Sequence, residues 1–102
     1  MLIDAHTHLN GELLFDQREP CLKDFEKAGG RILVNAGANG FYNQNAISIA
    51  EEAKSLFPDL EVKATLGYLP GDIHHFHKSD FSQMIQDLEE LYLAHKEHII
   101  AI

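Results

Sequence analysis

The chain has 102 residues, enough for one domain that buries about two thirds of its unfolded surface, and too few for a second domain or for a complete (β/α)₈ barrel of about 250 residues. At 45% hydrophobic and 24% charged residues it reads as a core-forming globular sequence, neither disordered nor fibrous. Eight basic against sixteen acidic residues give a net charge of −8 with no basic stripe, which excludes nucleic-acid or anionic-membrane binding driven by the protein's own charge; a phosphate-bearing ligand would need a bound cation.

Short apolar runs alternate with helix-period segments, the pattern of βα units around a parallel sheet. The first strand is expected from Leu2 to about His6, and a helix from about Glu19 to Ala28, ended by Gly29-Gly30. A second strand, Ile32 to Asn35, leads through Ala36-Gly37-Ala38-Asn39-Gly40 into a helix from about Tyr42 to Leu56. There Ala46, Ile47, Ile49, Ala50 and Ala53 form one apolar stripe, and Pro58 stops the helix. A third strand, Val62 to Leu66, precedes a long loop rich in Gly, Pro and His that extends to Ser79. The last helix is expected to bury Phe81, Met84, Ile85, Leu88, Leu91 and Tyr92, and His98 to Ile102 begins a fourth strand. The period of roughly 30 residues is that of a βαβ element. Ile99-Ile100-Ala101-Ile102 has no turn, cap or charged tail after it, so a continuation of the chain is expected; without one the sheet keeps an open edge. The single cysteine, Cys21, has no disulfide partner. The N-terminus lacks a basic n-region, and no apolar run approaches the roughly 20 residues of a membrane span, so a cytoplasmic location is expected.

The strongest chemical signal is Asp4-Ala5-His6-Thr7-His8 at the end of the first strand. Residues two apart on a strand share a face, so Leu2, Asp4, His6 and His8 align, apolar at the base and polar at the carboxyl end, where parallel α/β folds bind ligands. Two imidazoles so placed can converge on one divalent ion. The plainer alternative is a pair of solvated strand-end histidines, but the position directly after an apolar strand favours the metal.

Met1-Leu2-Ile3-Asp4-Ala5-His6-Thr7-His8-Leu9-Asn10 resembles the opening of the TatD-related metal-dependent hydrolases, a branch of the amidohydrolase-like (β/α)₈ barrels often described as deoxyribonucleases. The likeness continues through the segments 28–37, 64–70 and 98–102, which resemble the family's second, third and fourth strands and their loops. It implies an α/β fold, the N-terminal part (four strands, three βα units) of a TIM barrel with helices outside its parallel sheet. Residues 1–102 would then be a single incomplete domain. It further implies His6 and His8 as metal ligands, Asp4 as their support, and one or two divalent ions (Mg, Mn or Zn). The activity implied is hydrolysis of phosphoesters by metal-activated water. In the family a bridging Glu, two further His and a water-activating Asp come from later strands, beyond Ile102, so this chain alone is expected to be inactive and to carry no catalytic residue of its own. Nucleic acid or another phosphoester would be held only through the metal.

The sequence departs from the family's Gly-x-His-Pro at Gly67-Tyr68-Leu69-Pro70. The loop then offers Asp72, His74, His75 and His77. His74 or His75 could replace the lost imidazole, or His75 and His77 form an accessory metal site; solvated loop histidines are the plainer account. Phe15 and Asp16 could touch substrate, or be a packing Phe beside a turn Asp. Gly37, Asn39 and Gly40 could offer N–H groups to phosphate but include no lysine. Cys21 has no evident base, Glu51-Glu52 and Glu89-Glu90 read as solvated helix faces, and His95 and His98 as neighbours of a helix end. Two other classes remain. A PHP-type phosphoesterase also opens with His-x-His, although Leu9-Asn10-Gly11-Glu12 departs from its usual turn. A non-catalytic α/β module would instead associate with itself or with a missing second half through its open strands.

Overall fold

The computed structural model describes residues 1–102. Strand β1 (Leu2–Thr7) is followed by a 3₁₀ turn (Phe15–Gln17) that runs into helix α1 (Arg18–Lys27). Arg18 joins the two: its guanidinium lies 4.1 Å over the Phe15 ring, donates to the Phe15 carbonyl, and pairs with Glu52 at 2.8 Å. Helix α1 ends where Gly29 takes a φ of +96°, a conformation without penalty only for glycine. Strand β2 (Gly30–Asn35) leads to helix α2 (Gly40–Leu56), whose first turn is capped by the Asn39 side chain accepting from the Tyr42 amide at 3.0 Å. Strand β3 (Glu61–Thr65), the single-turn helix α3 (Pro70–Ile73), a 3₁₀ turn (Lys78–Asp80), helix α4 (Phe81–Ala94), a 3₁₀ turn (Lys96–His98) and strand β4 (Ile99–Ala101) complete the chain.

The four strands form one parallel sheet in the order β1-β2-β3-β4. Three βα units and a fourth strand are therefore present. On one face the sheet meets its helices. Leu33 and Val62 pack with Leu22 of α1 and with Ile49, Ala50 and Ala53 of α2. Ala64 and Ile99 pack with Ala46 and Ile47 of α2, and α4 adds Leu88 and Leu91. Helix α2 belongs to both clusters, and its entire predicted stripe is buried. Burial of such side chains at about 25 cal/mol per Å² of apolar area is what holds the layers together.

Three expectations change. The segment 67–79 is not a plain loop: Pro70 pre-sets φ at the first position of α3, and the Asp80 carboxylate accepts from the His77 amide at 3.2 Å to start the turn before α4. His98 does not begin the fourth strand; its amide donates to the His95 carbonyl at 3.0 Å, closing a 3₁₀ turn, and its side chain is buried. The apolar face of α4 is only partly covered. Met84 is buried, but Ile85 is 66% exposed and Tyr92 40%, because the stripe is wider than the groove that α2 and the short β4 offer it. The apolar base of β1 is open, with Leu2 50% and Ile3 55% exposed.

Candidate metal centre

The alternation of β1 decides where its polar residues point. Thr7 is in register with Asn35 of β2, and its hydroxyl donates to the Asn35 carboxamide oxygen at 2.7 Å on the helix-covered side. His6, the neighbour of Thr7 in the strand, therefore points to the opposite side. A register shift between Asp4 and Thr7 breaks the expected alternation before Asp4, which is in register with Leu33, so Asp4 does not simply align with the two histidines. His8, one residue beyond the strand, turns its ring back to His6: the two Nε2 atoms are 3.3 Å apart and the rings meet edge to face. Two nitrogens each about 2.05 Å from a tetrahedrally coordinated zinc would be separated by about 3.3 Å, so the pair is spaced as adjacent ligands of one ion.

The tautomer of His8 follows from its neighbour. Its Nδ1 lies 3.1 Å from the Ala36 carbonyl, which can only accept, so Nδ1 carries the proton and Nε2 presents its lone pair. A ligand histidine whose second nitrogen is held by a backbone carbonyl is the usual outer-sphere arrangement of protein metal sites. In the free protein His6 Nε2–H can donate to that lone pair. With a cation present both lone pairs would face it. Asp4 Oδ1 accepts from the His6 amide at 3.2 Å, so its carboxylate steadies the backbone at His6.

Beneath the histidines lies a set of buried amides that composition and periodicity do not reveal. Asn10, Asn35 and Asn43 are all fully buried. Asn35 Oδ1 accepts from Thr7 Oγ1 and, at 3.0 Å, from the Leu9 amide; Asn10 Nδ2 donates to the carbonyls of Ala36 (2.8 Å) and Tyr42 (3.0 Å); Asn43 Oδ1 accepts from the Gly67 amide at 3.1 Å. These bonds tie the carboxyl ends of β1, β2 and β3 together. They also explain Gly37, where a Cβ would stand 2.0 Å from Asn43 Oδ1 and 2.6 Å from the Thr65 carbonyl.

At the same end an open cleft of about 400 Å³ is lined by His8, Glu12, Ala38, Asn39, Tyr42, Leu69 and Asp72. It gathers the loops after β1, β2 and β3, and no lysine or arginine lines it. Sequence reading missed Glu12 and Tyr42, whose ring sits 5.9 Å from that of His8. Leu69 and Asp72 represent the third loop here. His74 and His75 do not: their exposed rings pack on each other at 4.1 Å and neither lines the cleft. Phe15 packs against the core beneath Arg18, and Asp16 lies on the surface with Arg18, Glu19 and Lys23. No third His, Cys, Asp or Glu converges with His6 and His8 within residues 1–102, and none joins His75 and His77. The donor set thus fits two positions of a metal whose catalytic form takes three protein ligands and a water. Away from the cleft, in an apolar groove beside α4, burial, and secondarily the charge of Asp87, raises the Tyr68 hydroxyl above its ordinary range.

No protein-family model matches the chain. Over 101 residues, 97% of its length, it is 36% identical to a Mycoplasma genitalium protein named an uncharacterized metal-dependent hydrolase. Over 99 residues it is 34% identical to a Mycoplasma pneumoniae protein also named an uncharacterized metal-dependent hydrolase. The chain spans about a third of the length of these curated relatives, 34% in each case. No helix is long and apolar enough to cross a membrane.

Proposed function

We propose that the chain is the ligand-bearing N-terminal part of a metal-dependent hydrolase of the TatD type, acting on phosphoesters. The observation that carries the reading is the approach of His6 and His8 through Nε2 at 3.3 Å, with His8 Nδ1 fixed by Ala36, at the carboxyl ends of a parallel sheet. Likeness over 97% of the chain to relatives named for metal-dependent hydrolysis supports it, as do the motif order and spacing that resemble the TatD proteins. A bound divalent ion, Mg, Mn or Zn, would polarise the scissile ester and lower the pKa of its water. The protein's own groups do the rest: His6 and His8 hold the ion, Asp4 steadies the strand, and Glu12, Tyr42 and Leu69 border the space beside it. With no cationic side chain in the cleft, a phosphoester is held through the ion. The remaining ligands and the general base belong to chain outside residues 1–102, as does the completion of a barrel around the two open strands; self-association through those strands is the alternative way to cover them.

Calorimetric titration with Zn²⁺ and Mn²⁺ tests this directly. The protein should retain Zn²⁺ at micromolar concentration and lose it in the His6→Ala/His8→Ala double substitution, without turnover of a phosphodiester such as bis(p-nitrophenyl) phosphate. No retention of either ion sinks the metal assignment, and turnover by residues 1–102 that vanishes with His6→Ala overturns the division of the site.

A further inference from the structure

The metal assignment leaves one question that the buried amides answer: what turns the chain so sharply after β1 that His8 faces His6. The Asn35 side chain accepts from Thr7 Oγ1 at 2.7 Å and from the Leu9 amide at 3.0 Å, the two residues that flank His8. A single carboxamide oxygen thereby brackets the ligand on both sides. The next residue of the same strand, Ala36, offers its carbonyl to His8 Nδ1 at 3.1 Å and to Asn10 Nδ2 at 2.8 Å, and the Ala36 amide donates to the Thr7 carbonyl at 2.9 Å. Asn35 is fully buried, and its Nδ2 has no partner, so the oxygen alone accounts for placing a polar residue in a site that burial makes costly.

We propose that Asn35 is a positioning residue for the metal ligand His8, fixing its backbone, and through Ala36 its tautomer, before any ion arrives. The proposal rests on the reading of His6 and His8 as ligands, yet its structural half is visible without metal. Removing the oxygen leaves the Leu9 amide unpaired and the Thr7 hydroxyl with only its longer 3.4 Å contact to the Val34 carbonyl, lets the His8 ring leave Ala36, and widens the Nε2 pair. Losing a comparable outer-sphere partner weakens metal affinity about 10- to 100-fold in known sites.

The experiment compares the parent with Asn35→Ala, Asn35→Asp and Thr7→Val, using Zn²⁺ alone as the probe and long-range ¹H–¹⁵N imidazole spectra of the metal-free proteins. The parent should show His8 as the Nδ1–H tautomer. Asn35→Ala should lose that signature while His95 and His98 keep theirs, and should bind Zn²⁺ at least about tenfold more weakly. Asn35→Asp, which keeps the accepting oxygen and forfeits no bond at Nδ2, should restore both. Thr7→Val removes one of the two bonds and should shift the His8 signals partway, which keeps the test decisive if Asn35→Ala does not fold. An unchanged His8 tautomer and Zn²⁺ affinity in folded Asn35→Ala, or unchanged His8 signals in Thr7→Val, overturn the proposal. If the parent itself retains no Zn²⁺, the ligand reading falls while the metal-free spectra still decide whether Asn35 sets His8.

Discussion

At the residue scale the site depends on groups that never face it. Gly37 follows the strand end that holds His8, and the space a Cβ would need is filled by Asn43 Oδ1 and by the main-chain carbonyl of Thr65, which cannot rotate away. Gly37→Ala is therefore expected to destabilise the fold by about 1–3 kcal/mol, the usual cost of overpacking, read as a lower urea midpoint at unchanged slope. An unchanged midpoint would mean that the junction of β2 and β3 is looser than its hydrogen bonds suggest. The Arg18–Glu52 pair presents the contrasting case. It is bidentate, and its hydrogen bond is the main cause of the raised Arg18 pKa, but both side chains are partly in water, where such pairs contribute little.

At the scale of elements, the four strands and the helices flanking them are legible because each is written in a period that sterics enforce: 3.6 for the stripe of α2, 2 for the strands. His6 and His8 are legible for the same reason, as alternation places them together before any tertiary contact is known. The asparagines, Glu12 and Tyr42 are not, because such roles arise from long-range contacts that no local pattern encodes; the side-chain bonds of the buried asparagines span 24 to 32 positions. The face of α4 was misread because periodicity identifies an apolar stripe without saying what lies opposite it. Two neighbours on that helix separate the cases. Met84→Ala, at a buried position, should cost about 2–5 kcal/mol, whereas Ile85→Ser, largely in solvent, should change stability by no more than about 0.5 kcal/mol. Thermal or urea unfolding of the two variants checks this; a large loss from Ile85→Ser would show that its side is covered in solution.

For the whole molecule, the same openness appears in its dimensions. The radius of gyration is 14.0 Å, against about 13 Å for a compact chain of this length, and the principal extents are 46 × 26 × 21 Å. Helices cover one face of the sheet, and β1 and β4 each lack a neighbour along one edge. His6 lies on β1 and His8 one residue past its end, and every residue of the strand through His6 is exposed. Such a strand exchanges its amide hydrogens by local opening at far less than the global free energy, while α2, central to both clusters, exchanges only on global unfolding. On the proposed ligand reading, an ion held by both His6 and His8 would tie the end of β1 to the turn that His8 Nδ1 anchors on Ala36 of the neighbouring chain segment. An ion at 100 times its dissociation constant should therefore slow exchange in residues 2–7 about 100-fold and leave α2 nearly untouched. The exchange rate of this one strand would thus report the proposed ion without any turnover assay: its protection should rise with added Zn²⁺ while that of α2 stays constant.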